Sequence, residues 1–361
     1  MSRKKATEPP AGDPASPVNP DFQRRPTRRL SPEAYAEGVL AGDRVLLSKA
    51  ITLIESTLAT DQALAGRVVD LCLPHRVPSR RIGISGAPGV GKSTFIEALG
   101  KIILAEGGKL AVLTIDPSSR ITGGSILGDK TRMETLSLEE RAFIRPSPAG
   151  DTLGGVARKT RETILLCEAA GYSDIIVETV GVGQSETTVQ SMVDCFLLLL
   201  LPGAGDELQG IKRGIVEMAD LVAVNKADGD GLSFARKAQA AYRNALHLFP
   251  PKTSGWTPEV LTCSALNGTG VNEIWQEITT FFDTVRASGF MAENRREQTR
   301  FWFYDALDAG LRNLVKTHPQ AKERLPALEK EVLAGTRSPL GAAEEILRIL
   351  GGTEGGEGLR I

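Results

Sequence analysis

An α/β fold with a mostly parallel central sheet is predicted by three observations. The apolar run Arg81-Ile82-Gly83-Ile84-Ser85 feeds Gly86-Ala87-Pro88-Gly89-Val90-Gly91-Lys92-Ser93-Thr94, and a helical pattern follows from Phe95 to Ala105. Strand, glycine-rich turn and helix in that order are the context of a phosphate-binding loop. From Arg81 onward, short apolar runs alternate with helical stretches, as in parallel strands joined by helical crossovers. Helices alone precede this alternation, and helices alone follow it. The expected molecule is a P-loop NTPase of the α/β class, flanked by N-terminal helices and a C-terminal helical arm. The boundaries read as a disordered tail over 1–30, a helical segment over 31–78, the nucleotide domain over 79–288, the arm over 289–350 and a loose tail over 351–361.

The chain has 361 residues, 41% of them hydrophobic, which suffices for one large α/β domain and a smaller appendage. A formal net charge of -1 calls for no nucleic-acid surface. The longest apolar run, Phe196 to Leu201, is strand-sized, well short of the roughly 18 residues of a membrane span. The four cysteines (Cys72, Cys167, Cys195, Cys263) lie far apart and read as reduced core thiols of a cytoplasmic protein. None of the three histidines pairs with a cysteine at metal-site spacing, so a zinc or nickel site from sequence-local ligands is not expected. The first thirty residues are proline-rich and lack helical periodicity, which marks a disordered tail.

Ser31-Pro32 is a helix start, with the hydroxyl as N-cap and proline at the first helical position. Asp43 opens a second helix through Leu47, Ile51 and Ile54, and a third runs from about Asp61 to Leu71. These three form a structural preface packed against the main domain. In the loop that follows the first strand, polyphosphate oxygens need several backbone N–H groups at once. Gly89 and Gly91 clear the approach, and the helix N-terminus adds partial positive charge. Lys92 reaches the outer phosphates as a point charge, and the Ser93 hydroxyl suits Mg2+.

Further strands are expected at Leu110–Ile115, Ala142–Arg145, Ile175–Glu178, Cys195–Leu201, Leu221–Asn225 and Val260–Cys263, with the ligand at their carboxyl ends. Asp116 follows the second strand at the metal's expected position. The glycine-rich loop beyond it, Arg120 to Arg132, contains Asp129 and suits a switch segment ordered by Mg2+ and the terminal phosphate, in preference to a solvated loop. Glu178 ends the fourth strand, where a carboxylate holds Mg2+ through water, and Gly181 can offer its N–H to the terminal phosphate. Gln184 either orients the attacking water or simply starts a helix. The loop from Pro202 to Gly214 is glycine-rich and charged, and reads as a mobile contact loop at the ligand edge.

Asn225-Lys226-Ala227-Asp228 closes the sixth run. The Asp228 carboxylate there accepts hydrogen bonds from N1–H and the exocyclic amine of guanine, which adenine cannot supply. Lys226 packs its stem over the base, and Asn225 ties the loop back to the phosphate-binding segment. Ser264-Ala265-Leu266 completes the base pocket through backbone N–H groups. After Asn267-Gly268-Thr269-Gly270 the chain turns helical: Val271 to about Ala287, about Ala292 to Lys316, Gln320 to Leu333 and Leu340 to Leu350. The stripe Phe301, Trp302, Tyr304, Leu307, Leu311, Leu314 reads either as core or as a self-association surface, and the second is preferred because an arm outside the sheet has little core of its own.

The phosphate loop, Thr114-Ile115-Asp116-Pro117-Ser118-Ser119, Gly123 to Lys130, Glu178-Thr179-Val180-Gly181-Val182-Gly183-Gln184-Ser185 and Leu201 to Gly210 together resemble the ArgK/MeaB family. These are GTPase chaperones of adenosylcobalamin-dependent methylmalonyl-CoA mutase, with a mitochondrial counterpart linked to methylmalonic aciduria. The resemblance spans about Ser31 to Leu350, and a glutamate at Glu178 in place of the aspartate usual in small GTPases makes it specific. It implies GTP/GDP and Mg2+ as ligands, a homodimer formed through the C-terminal arm, and slow hydrolysis stimulated by the mutase. It also implies a role in gating cofactor loading and protecting the mutase. By position Asp116 and Asp129 match switch acids near Mg2+, Glu178 the second-switch carboxylate, and Lys212 a third-switch lysine that answers to the mutase. An older description of the family as an arginine/ornithine transport ATPase or kinase sits poorly with Asn225-Lys226-Ala227-Asp228, which argues against adenine. No residue is an obvious general base, so slow turnover is expected unless a partner completes the site. A metal-insertion GTPase and a nucleotide-dependent phosphotransferase are the alternatives; the first lacks histidine- or cysteine-rich ligand sets, the second an acceptor motif.

Overall fold

The computed structural model describes residues 29–115, 133–147, 153–179, 185–202 and 213–351. Helix α1 (Pro32–Leu40) starts where a hydroxyl cap was expected, with Ser31 Oγ accepting from the Ala34 N–H at 3.2 Å. Helix α2 (Arg44–Glu55) is capped by Asp43, whose Oδ1 accepts from Val45 and Leu46 N–H at 2.7 and 3.0 Å. Helix α3 (Ala59–Cys72) completes the group. Tyr35, Val39, Leu47, Ile51, Ile54 and Val68 are buried in the same hydrophobic cluster as one face of the sheet. The three helices thus extend that core and have none of their own.

The chain then runs through β1 (Arg80–Gly86), α4 (Lys92–Ala105), β2 (Leu110–Ile115), α5 (Glu134–Leu138), β3 (Ala142–Ser147) and α6 (Leu153–Ala169). It continues with β4 (Asp174–Thr179), α7 (Ser185–Gln190), β5 (Cys195–Leu200), α8 (Arg213–Met218), β6 (Leu221–Val224), α9 (Gly231–Leu246) and β7 (Glu259–Thr262). All seven strands expected from the sequence are present, within a residue or two at each end. Their order is β3-β2-β4-β1-β5-β6-β7, and every neighbouring pair is parallel. The chain works outward to β3, returns to insert β4 beside β1, and then works outward to β7. The reversal leaves β1 in the middle, where a crevice opens at the carboxyl edge. Strand β3 passes through Pro146, which an edge strand tolerates because it has a single neighbour.

Side chains alternate between the two faces as the pleat requires. On β5, Phe196, Leu198 and Leu200 join the face covered by α1–α3, α6 and α9, while Cys195, Leu197 and Leu199 join the face covered by α4 and α10 (Val271–Ala287). All four cysteines are buried and free. The chain ends in α11 (Phe290–Thr317), α12 (Pro319–Leu333) and α13 (Pro339–Gly351), the last two joined through Ala321, Leu328, Ala342 and Ile346. The stripe on α11 divides. Trp302 is buried at 4% exposure, whereas the rest of it, with Phe303, stands out in solvent, from 46% at Leu314 to 62% at Phe303. Among the described residues no helix is long and apolar enough to cross a membrane.

At the amino edge of the sheet, opposite the phosphate loop, lies a buried ion cluster. Arg81 Nε and Nη2 donate to the two oxygens of Glu168 at 2.7 and 2.9 Å, and Arg295 Nε and Nη2 donate to Asp194 at 2.8 and 2.6 Å. The Arg81 N–H also donates to Asp194 Oδ2 at 3.0 Å. Burial pushes the Glu168 carboxyl up, but the Arg81 guanidinium, helped by Ser79 and Arg295, outweighs it and leaves the group below its usual value. Its stabilisation is therefore present above the ordinary carboxylate range and is lost as pH falls through the lowered value. Glu168→Gln leaves Arg81 buried against a neutral amide and is expected to lower stability by about 3–5 kcal/mol at pH 7. The check is urea unfolding at pH 7 and pH 3.5, where the gap between the two proteins should narrow.

Candidate functional site

The residues expected to bind phosphate sit at the carboxyl end of β1. Their geometry explains why three of them are glycines. Gly86 (φ 153°) passes so close to β5 that a Cβ would lie 2.4 Å from Leu199 O, and Gly91 (φ 95°) would place one 2.7 Å from Asn225 Nδ2. Gly89 has open space around it, and its φ of 78° is what calls for glycine. Ala87, Pro88 and Gly89 form the exposed tip, Val90 is buried beneath it, and Thr94 is exposed on the first turn of α4. Lys92 is buried to 8% exposure, with Nζ donating to Gly86 O at 2.8 Å and Ala87 O at 3.3 Å. The ammonium is thus held across the mouth of the loop, within a side chain's swing of a phosphate seated there.

Ser93 Oγ donates to Glu178 Oε1 at 3.3 Å, because β4 lies beside β1 and ends level with the loop. Thr179 Oγ1 donates to Ser85 Oγ at 2.8 Å and fastens the two strand ends together. A hydroxyl and a carboxylate meeting at a helix N-terminus are hard oxygen donors of the kind Mg2+ takes, so the pair fits that ion. Asp116, Asp129, Gly181, Gln184 and Lys212 lie outside the described residues.

The residues expected to read the base converge from the ends of β6 and β7. Asn225 is 2% exposed; its Nδ2 donates to Val90 O at 2.8 Å, and its Oδ1 accepts from the Ala265 N–H at 2.9 Å. One carboxamide therefore joins the phosphate loop to the Ser264-Ala265-Leu266 turn. Lys226 has φ +60°, unique among the described non-glycine residues, and is exposed at the pocket rim. That backbone bend turns the chain so that Asp228 comes back against Ser264, whose Oγ donates to Asp228 Oδ2 at 2.9 Å. Leu266 is exposed, so its part is played by backbone.

Sequence reasoning passed over Asn267. Its Nδ2 also reaches Asp228 Oδ2, at 3.4 Å, and its N–H donates to Ser264 Oγ at 3.3 Å. An Asn-Gly pair after a strand reads as a turn, which it is; the signal for a second role was its place three residues after Ser264. A cleft lies away from these residues. About 890 Å³ in volume, it opens at the amino edge between Met218, Phe249, Trp256 and Gln298. The residues expected to bind the nucleotide lie at the other, carboxyl edge.

Comparison with known proteins finds relatives over most of the chain. Residues 47–320 match the sequence model of the family described as Methylmalonyl Co-A mutase-associated GTPase MeaB. A Caulobacter vibrioides protein named Putative GTPase is 50% identical over 322 residues, 89% of this chain and 98% of its own. The Mus musculus protein named Methylmalonic aciduria type A homolog, mitochondrial, is 47% identical over 321 residues, 86% of this chain and 77% of its own. A crystal structure described as a LAO/AO transport system kinase superposes with a TM-score of 0.69 at 37% identity, covering 89% of this chain and 97% of that one. Likeness over so much of the sequence, on a scaffold that brings the residues expected to bind phosphate and to read guanine into contact, means that this chain belongs to the MeaB family of GTPases.

Proposed function

We propose that this GTPase is a chaperone of an adenosylcobalamin-dependent acyl-CoA mutase, methylmalonyl-CoA mutase in the first instance, and couples GTP hydrolysis to cofactor loading and protection of that enzyme. The observation that carries the client is the family match across residues 47–320. In the reaction, water attacks the γ-phosphate in line and GDP leaves. Lys92 exchanges the Gly86 and Ala87 carbonyls for phosphate oxygens and opposes the negative charge that develops there. Backbone N–H groups of the loop and of Gly181 orient the terminal phosphate. Ser93 and Glu178, together with Asp116 and Asp129, would hold Mg2+, which when bound supplies positive charge to the phosphate oxygens. Lys212 answers to the mutase.

The exposed Phe301, Tyr304, Leu307, Leu311 and Leu314 on α11 supply an apolar surface of the kind two copies of the chain would bury, which supports a homodimer through the arm. Four free, buried cysteines fit a reducing cytoplasm.

Steady-state phosphate release from GTP and ATP, with and without purified methylmalonyl-CoA mutase, tests the reading. The expected result is slow turnover of GTP alone, little with ATP, and about tenfold or greater stimulation by the mutase. GTP turnover indifferent to the mutase would reject this client and leave the GTPase.

A further inference from the structure

The arm helix meets the catalytic body along one edge. Arg295, Gln298 and Trp302 stand at i, i+3 and i+7 on α11, and therefore share a face. Trp302 Nε1 donates to Ser191 O at 3.1 Å, Gln298 Nε2 donates to Val193 O at 2.8 Å, and Arg295 grips the Asp194 carboxylate. All three acceptors belong to the stretch 191–194 that carries the chain from α7 into β5. On its other side the same stretch presses against the strand that ends in the phosphate loop. A Cβ on Gly83 would lie 2.9 Å from Val189 Cγ1 and 3.0 Å from Val193 Cγ2. In chain order, α7 is the next described element after Glu178 and Thr179. It is thus clamped between the nucleotide-bearing strand and the arm.

A second observation singles out this junction. Arg161, on α6, lays its guanidinium over the Trp302 ring at 5.3 Å from the centroid, and its buried Nε has no hydrogen-bond partner among the described residues. Gln298, one turn before Trp302, also has an atom unpartnered among the described residues, its buried Oε1. The amide cannot be reversed to relieve this, because Val193 O demands the N–H side. A donor on α6 and an acceptor on α11 left unmet mark a junction that another seating of α11 can improve.

From these contacts we infer that Arg295, Gln298 and Trp302 are positioning residues for GTP hydrolysis. The arm sets where α7 sits, α7 packs against Gly83 of β1, the strand that ends in the phosphate loop, and the nucleotide changes the arm junction in return. Linkage makes the coupling reciprocal: whatever covers the exposed face of α11 alters nucleotide affinity by the factor with which nucleotide alters its own binding. The inference stands apart from the choice of client, since it is read in the isolated full chain.

The experiment is 19F NMR of the full chain labelled with 5-fluorotryptophan, saturated either with GDP or with a non-hydrolysable GTP analogue. Three resonances arise from Trp256, Trp275 and Trp302, and Trp302→Phe assigns the third. Trp302 is expected to shift between the two nucleotides. Trp256, bonded to Asp220 O, and Trp275, bonded to Glu106, are expected to hold still. Gln298→Met, which keeps length and removes the amide, should lower kcat about five- to tenfold with KM within about twofold, a split that mere loss of packing would not produce. A Trp302 resonance identical in both states, or an unaltered kcat in Gln298→Met, overturns the inference.

Discussion

Lys92→Ala is expected to lower kcat for GTP by about 10²–10³-fold, the loss that follows removal of one preorganised charge from a transition state. The side chain is almost wholly buried and its Nζ is pinned by two loop carbonyls, so it arrives at the phosphates without a search. The fold should survive, since α4 keeps its first turn through the Phe95 N–H bond to Gly91 O at 2.9 Å. Single-turnover hydrolysis measured beside far-UV circular dichroism separates the two effects. Turnover within about threefold of the native protein, on an intact fold, would take Lys92 out of the mechanism.

Asp228→Asn should weaken guanine nucleotide binding by about 10²–10³-fold, the equivalent of two hydrogen bonds to a charged acceptor. It should also improve binding of xanthosine nucleotides, whose C2 carbonyl accepts from the new amide. The variant keeps an oxygen for Ser264 Oγ, so the turn between Ser264 and Asn267 has no cause to collapse. Competition of GDP and xanthosine diphosphate against a fluorescent nucleotide gives both numbers. An undiminished preference for guanine would show that the base is read by other groups.

Much of this molecule is legible in the sequence because its signals are local. Each strand is a short apolar run ended by a polar or glycine residue, and the phosphate loop and Asn225-Lys226-Ala227-Asp228 each occupy a single stretch at one edge. Even the tie from Asn225 to the loop follows from the spacing of such motifs. The ion cluster was not legible. Arg81 opens an apolar run and looks like a solvated flank, and its partner Glu168 lies 87 positions away at the end of a helix with no pattern to mark it as buried. Trp302 fails for the opposite reason. It sits in a stripe of apolar neighbours that all suggest one face, yet a 28-residue helix turns them around its circumference and buries Trp302 while Phe301, Phe303 and Tyr304 face water. Asn267 was hidden by its own turn chemistry.

The single carboxamide that joins the two halves of the pocket has a consequence for how the protein is made. Asn225 lies 135 positions after Val90 and 40 before Ala265, and it bonds to both. On the ribosome the phosphate loop emerges first, and at roughly 5–20 residues per second many seconds pass before the strand that secures it is available. During that interval the loop has neither its brace nor a base pocket, and a nascent chain has little with which to retain a guanine nucleotide. The pocket these residues are expected to form is therefore complete only once synthesis has passed Ala265.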